Sequence, residues 1–473
     1  MELKIHFLGA AGTVTGSKFL IETPHHKILI DCGMFQGLKK LRKQNWKNLA
    51  IDASTIDMVL LSHGHLDHTG YLPRLVRQGF KGKIMGTSPT LAIAKIILLD
   101  SGKIHEEEAK RANDEGYSIH KPAQPFYTIR EAEFTTRLFQ PVEKDEWVLF
   151  AENIKYRFRY NGHIIGSTYI ELDICGKILV FSGDIGRITD PLLFPPDKPR
   201  WADFLFMEAT YGNKKHPSDE FEEKIIDLVN KTIYNRGTLI IPSFAVERLQ
   251  TLMFLLWELY QKNKIPSIPI FVDSPMGNNI LSVFEQFPEW HQLSKKEYYG
   301  MNSHIHSITS YRETWETIDD PRPKIVIAGS GMVTGGRVLT YLQQLIDEYT
   351  TTILLVGYQA EGTRGRDLLE GVKEIKFYGK YYPVKAEVHH IESLSAHGDQ
   401  DELLDWINNI KNIPEKVFLI HGETDALNAL KIKINKEYGW PVSIPKLNEV
   451  HRIRVCEKIL NLIIIIVYFI GYL

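Results

Sequence analysis

The feature that most constrains this chain is the hexapeptide His63-Gly64-His65-Leu66-Asp67-His68, which directly follows the apolar run MVLLS. Such a run reads as a buried strand, and in extended backbone alternate residues face one side. His63 and His65 can therefore reach one point in space, while the turn carrying Asp67 and His68 reaches a second point close by. A lone histidine after a strand is usually a satisfied core or turn residue. Four ligand-type side chains within six positions point instead to a metal, with imidazole and carboxylate donors suiting Zn²⁺ and leaving Mn²⁺ or Fe open. A strand end can supply only part of a coordination shell. Two more strand-like runs end in suitable donors, His163 in NGHIIGS and Asp184 in FSGDIG, although either residue alone would read as a cap.

The elements around these residues predict an α/β fold. LKIHFLG, KFLIET, KILIDCG and MVLLSH are short apolar runs closed by Gly, Pro or His, and IKYRFRY, TYIELDI and KILVFSGD follow the same pattern. TGYLPRLVRQG and TLAIAKIILLDSGKIHEEEAKRAN read as helices, and the polar segment 102–122 as an exposed helix or loop. After about residue 208 strands and amphipathic helices alternate, which predicts a mostly parallel sheet covered by helices. From about 389 the texture changes again, through VHHIESLSAHGD and KVFLIHGE, so the middle block reads as an insertion within one domain.

Composition narrows the class. With 473 residues, 44% hydrophobic and 24% charged, the chain suits two or three globular domains. A net charge of -2 excludes a generally basic nucleic-acid binder but not a local basic cleft. Three cysteines (Cys32, Cys175, Cys456) form no disulfide framework and fit a reducing cytoplasm. The N-terminus lacks the pattern of a signal peptide. The final run from Ile459, ILNLIIIIVYFIGYL, is shorter than the about 20 residues of a spanning helix. A strand or helix docked on the body is the favoured reading of 456–473 over a membrane contact.

HGHLDHTG, GHIIGS and SGDIG, preceded by LIDCG, resemble the metallo-β-lactamase superfamily in order and context. MEATYG, SLSAHGD and LIHGE are similar to motifs A, B and C of its β-CASP branch of nucleic-acid-processing nucleases, with further likeness in IPSFAVERLQ, DSPMG, GSGMVTGGR and GYQAEGTRGR. The resemblance spans about residues 1–450. It implies a four-layer αββα metallo-β-lactamase fold interrupted by an α/β, parallel-sheet β-CASP domain. The expected divisions are 1–207, a β-CASP domain at 208–388, a return at 389–455 and the apolar tail.

Carried onto this sequence, the resemblance implies two Zn²⁺ ions (Mn²⁺ or another divalent ion being the alternative) that activate a hydroxide between them. His63, His65 and His163 would hold one, Asp67, His68 and His421 the other, with Asp184 bridging. Asp31 would orient ligands, and with Asp67, His397 and Glu208 it completes the catalytic set; His397 would donate a proton to the leaving alkoxide and Glu208 would hold it protonated. The Gly-rich turn at Ser330 and Gly331, with Arg248, Arg337 and Arg364 and also Arg366, is expected to meet backbone phosphates.

His421 in motif C implies RNA, since DNA-repair relatives carry an apolar residue there. The expected activity is hydrolysis of single-stranded RNA by an endonuclease, with 5′-to-3′ exonuclease action as a second mode, in cytoplasmic RNA processing or decay. A homodimer is left open. The overall pattern is similar to compact single-chain bacterial and archaeal members and to the core of the pre-mRNA 3′-end processing endonuclease. A non-catalytic RNA-binding subunit would have lost metal ligands, and a small-molecule hydrolase would not explain the insertion or His397. The sequence departs from the family at Glu247, which stands where relatives often have Gly.

Overall fold

A computed structural model describes residues 1–116, 118, 120–217 and 221–455. The expectations for the tail 456–473, including Cys456, lie outside the described residues.

Two seven-stranded sheets form the centre of the first domain. One runs, in spatial order, Val450–Arg454, Glu2–Phe7, Phe19–Glu22, Lys27–Ile30, Met58–Leu60, Lys83–Gly86 and Phe139–Pro141. The other runs Val442–Ser443, Lys416–Ile420, Phe204–Glu208, Lys177–Phe181, Thr168–Ile174, Ile154–Tyr160 and Val148–Ala151. Alternation along these strands sends one set of side chains into the space between the sheets: Ile5, Phe7 and Phe19 from one, Phe158, Phe181, Phe206 and Phe418 from the other. Phe181 stacks on Phe206 with centroids 4.1 Å apart, and Phe206 stacks on Phe418 at 5.0 Å. The opposite set packs on helices. Helix Leu72–Arg77 covers the first sheet, while Gln400–Ile407 and Thr424–Tyr438 cover the second. The result is the expected αββα sandwich, closed by pairing of Glu2–Phe7 with Val450–Arg454 (Leu3 opposite Ile453).

The insertion is a six-stranded sheet, parallel at every pairing, in the order His306–Ser307, Ile270–Asp273, Lys324–Ala328, Thr238–Pro242, Thr352–Val356 and Glu387–Ile391. Its central strands are buried on both faces, as their unbroken apolar composition requires. The last strand straddles the expected 388/389 division: His389–Ile391 pair with Leu354–Val356, because backbone pairing carries the inserted sheet three residues past the change in sequence texture. The chain then crosses back and Lys416–Ile420 slots beside Phe204–Glu208.

The first part of segment 102–122, as far as Asp114, continues a longer helix. Residues 88–114 form one helix, Ser88–Asp114, capped by the Thr87 side chain and opened by Pro89. Ile93 and Ile97 of this helix share a hydrophobic cluster with Ile164, Ile165 and Leu193 of the first domain and Val246, Leu249 and Ile280 of the insertion. The two domains are thus packed through a continuous apolar core rather than tethered.

Candidate metal centre

Each ligand loop sits at the end of a strand, where the ladder stops and the backbone can turn. His63 follows Met58–Leu60, His163 follows Ile154–Tyr160, Asp184 follows Lys177–Phe181 and His421 follows Lys416–Ile420. Glycine lets these loops close on their neighbours. A Cβ on Gly33 would lie 1.5 Å from the Asp67 carbonyl oxygen, and one on Gly64 would lie 2.5 Å from Ile93.

The donors gather into two groups that share Asp184. In the first, His65 Nδ1 lies 3.1 Å from His63 Nε2 and 3.2 Å from His163 Nε2, and both Nε2 atoms lie 3.5 Å from Asp184 Oδ2. In the second, His421 Nε2 lies 3.3 Å from His68 Nε2 and 3.3 Å from Asp67 Oδ2, with His68 Nε2 3.3 Å from Asp184 Oδ1. A tetrahedral ion with bonds of about 2.0–2.1 Å holds its ligand atoms about 3.3 Å apart, so both groups have the spacing of a coordination shell. Asp184 Oδ1 is buried without a hydrogen-bond partner, which a shared cation would satisfy. The donor set fits divalent metal.

The nitrogens facing away from these groups are held. Asp31 Oδ2 lies 2.7 Å from His68 Nδ1, Ser62 Oγ 3.1 Å from His63 Nδ1, the Ala396 carbonyl 3.3 Å from His163 Nδ1 and Thr210 Oγ1 3.2 Å from His421 Nδ1. Such partners fix ring orientation. Electrostatics follow the same geometry. Burial, reinforced by neighbouring imidazoles, drives His63 and His163 well below the usual histidine value, and His65 down to about 4, leaving neutral rings ready to coordinate. Burial opposes charge on Asp184, yet the rings of His421, His68 and His63 hold it well below the usual carboxylate value.

Beside the metal groups, His397 Nδ1 lies 3.2 Å from Glu208 Oε1, and its ring packs 4.4 Å from that of His163. Glu208 is fully buried at the end of its strand, where its carboxylate also accepts from the amides of Ile185 and Thr210. Burial alone would lower the His397 value; the Glu208 carboxylate, with Asp184 and Asp67 adding to it, outweighs burial and raises the ring to about 9.

The expected phosphate contacts separate into two sets. Arg248 is buried, its Nε lacks a partner, and its guanidinium lies over Gly357, where an added Cβ would be 3.6 Å from Nη2. Arg337, Arg364 and Arg366 are engaged within the insertion. Arg337 donates to Thr314 Oγ1 at 2.8 Å, Arg364 to the Lys376 carbonyl at 2.7 Å, and Arg366 pairs with Glu370 at 2.6 Å. Ser330 Oγ accepts from the amides of Thr334 and Gly335, shaping its own turn, and Gly331 packs under Phe244.

Glu247 occupies a strained position. At φ 67° and ψ −58° it is the centre of a γ-turn closed by the Arg248 amide donating to the Val246 carbonyl at 2.9 Å. Glycine adopts this backbone most readily, and the Glu247 carboxyl is buried with neither oxygen hydrogen-bonded.

Sequence reasoning missed Ser62, Tyr211 and His216. Ser62 donates to Asp31, the Tyr211 ring lies 6.2 Å from His397, and His216 Nε2 lies 2.9 Å from the His397 carbonyl. Tyr211 was inside the quoted motif MEATYG; His216 carried no local signal.

Three family models match in succession: the metallo-beta-lactamase superfamily over residues 11–216, the Beta-Casp domain over 249–368 and the Zn-dependent metallo-hydrolase RNA specificity domain over 381–445. The chain is 32% identical to Ribonuclease TTHA0252 of Thermus thermophilus over 94% of this chain and 99% of that protein. The chain belongs to the β-CASP branch of the metallo-β-lactamase superfamily. It is 31% identical to an RNase J-like protein of Methanocaldococcus jannaschii over 94% of this chain and 97% of that one. Over 92% of this chain and 69% of the relative, it is 30% identical to the transcription termination factor FttA of Methanosarcina mazei. A crystal structure of a protein of unknown function from Enterococcus faecalis V583 shares the fold, with TM-score 0.53 at 13% identity, covering 96% of this chain and 100% of that one. This β-CASP protein is a metal-dependent hydrolase of a ribonuclease family. Among its described residues no helix is long and apolar enough to cross a membrane.

Proposed function

We propose that this protein is a zinc-dependent ribonuclease that hydrolyses phosphodiester bonds in single-stranded RNA, cutting internally in cytoplasmic RNA processing or decay. One observation carries the reading: two ligand groups joined by Asp184 lie against a half-buried His397 held by the buried Glu208. That combination supplies what phosphodiester hydrolysis needs, charge stabilisation on both sides of phosphorus and a proton for the leaving oxygen.

His63, His65, His163 and Asp184 would hold one zinc and Asp67, His68, His421 and Asp184 the second. When bound, such a pair supplies Lewis-acid stabilisation of the phosphate and activation of the attacking water. The remaining work falls to side chains. Glu208 fixes His397 through Nδ1, which leaves Nε2 to carry a proton towards the departing 3′-oxygen. Asp31, through His68 Nδ1, and Thr210, through His421 Nδ1, hold two rings in register. Arg248, with its unpartnered Nε, is one phosphate contact, and the turn at Ser330 and Gly331 is a second. Arg337 and Arg364 act by holding that part of the insertion together.

The test is incubation of 5′-labelled single-stranded RNA and matched DNA with zinc-loaded wild type and with His397→Ala. Internal RNA products that disappear with chelator and fall at least a hundredfold in the variant are expected. Binding of RNA without any cleavage would refute the catalytic reading and leave a binding role; release of mononucleotides alone would replace internal cutting by exonuclease action.

A further inference from the structure

The inserted sheet is parallel throughout, so the C-terminal ends of all six strands lie along one edge. Open α/β sheets bind ligands at that edge. At one end, the strand Glu387–Ile391 leads into the segment that carries His397. At the other, His306–Ser307 leads into helix Tyr311–Asp319. Five inter-strand steps of about 4.8 Å separate these ends by about 24 Å.

The far end carries a feature the catalytic centre does not use. Tyr311 is 62% exposed and Trp315, one helical turn on, is 45% exposed, an unusual placement for two large aromatic side chains. Behind Tyr311 lies the Arg337 guanidinium, 3.5 Å from the ring centroid. Arg337 is itself held: it donates to Thr314 Oγ1 and faces Asp273, whose Oδ2 accepts from Thr314 at 2.6 Å and from Tyr341 at 3.0 Å. Thr314 and Asp273 are fully buried, so the ring and its cationic backing are fixed before any ligand arrives. Of the nearby carboxylates, Glu313 accepts from Thr309, Glu316 pairs with Arg312 and Asp320 pairs with Arg322, while Asp319, one turn beyond Trp315, is exposed. Between this end and His397, Phe244 stands 37% exposed over Gly331 on the same edge.

We propose that Tyr311, backed by Arg337, and Trp315 form a base-stacking platform that grips single-stranded RNA at a distance from the cleavage site. The proposal rests on the ribonuclease reading and extends it. Stacking on aromatic faces with nearby cations is how single strands are held without sequence readout, and a groove of this kind tracks about 4–16 nucleotides, enough to bridge the span. Long substrates would therefore gain affinity that short ones lack.

The test uses the full chain carrying His397→Ala, loaded with zinc, and fluorescence anisotropy with 5′-labelled oligouridylates of about 6 and about 16 nucleotides. Tyr311→Leu and Trp315→Leu should each weaken binding of the longer RNA about tenfold and together more, leaving the shorter one unchanged, while Tyr311→Phe should retain full affinity. If the parent binds the longer RNA and both leucine variants bind it equally well, the platform is wrong and the ribonuclease reading stands. If the parent binds neither RNA, both fall. A leucine variant that changes the sedimentation coefficient while RNA affinity is unaltered would make this face a contact between copies of the chain and overturn the proposal.

Discussion

Asp31 makes no contact with the space between the ligand groups, yet the second group leans on it. Its carboxylate accepts from the Ser62 amide at 2.8 Å and the Ser62 hydroxyl at 2.8 Å, and lies 2.7 Å from His68 Nδ1, all within a site only 2% exposed. In Asp31→Asn, the amide oxygen can still accept from the Ser62 amide, but the NH₂ group stands in place of Oδ2, where it confronts the His68 Nδ1–H donor and forces the Ser62 hydroxyl to accept rather than donate. The substitution therefore removes one charge-assisted hydrogen bond, about 1.5–3 kcal/mol. Loss of a partner that orients a ligating histidine independently corresponds to about 10–100-fold in metal affinity, or about 1.4–2.7 kcal/mol, so the two routes agree. Backbone strain does not confuse the experiment, because Asp31 sits at φ 54° and Asn tolerates that conformation well. Chelator competition on the zinc-loaded variant should show one zinc held 10–100-fold more weakly, the one in contact with His68, and the other little changed. If both sites keep their affinities within about threefold, Asp31 is not the residue that holds His68 and the coupling argued here is refuted.

Two further substitutions probe parts of the molecule outside the ligand set. Replacing Glu247 by Gly relieves a γ-turn that costs about 1–3 kcal/mol and removes an unpaired buried carboxyl, so the midpoint of thermal unfolding should rise, and by more than in Glu247→Ala, which keeps the strain; an equal or lower midpoint in the glycine variant would contradict this. Lys18, buried and donating to the Gly16 and Gly33 carbonyls, is lowered by burial to about 8. Between pH 8 and 9 the unfolded chain thus binds more protons than the native one, and stability should rise with pH by up to about 1.4 kcal/mol per unit. Neighbouring Cys32, pushed by burial up to about 12, works in the opposite direction only above the ordinary thiol range. Denaturant titrations of Lys18→Met should lose that slope; an unchanged slope would place its origin elsewhere.

Legibility in the sequence tracked the range over which a feature is encoded. His63, His65, Asp67 and His68 are local, and strand alternation sufficed to place them near a metal. His163, Asp184 and His421 come together because three strands of one sheet end at the same rim, which no single segment states. The Glu208–His397 pair spans the whole insertion, and only the family pattern joined its members. The arginines show the limit. Arg248, Arg337 and Arg364 occupy equally suggestive motifs, but Arg337 meets Thr314 and Asp273 while Arg364 meets the Lys376 carbonyl, and those partners are fixed by packing of separate elements. Tyr311 and Trp315 lie in none of the motifs; their exposure follows from the position of their helix after a two-residue edge strand. The inserted domain thus does two things with one sheet. Its last strand delivers His397 to a metal rim built by another domain, and its remaining strand ends extend that rim sideways. Because Ile93, Ile164 and Leu249 lock the two domains in one apolar core, the distance between rim and extension is set by strand spacing and not by a hinge.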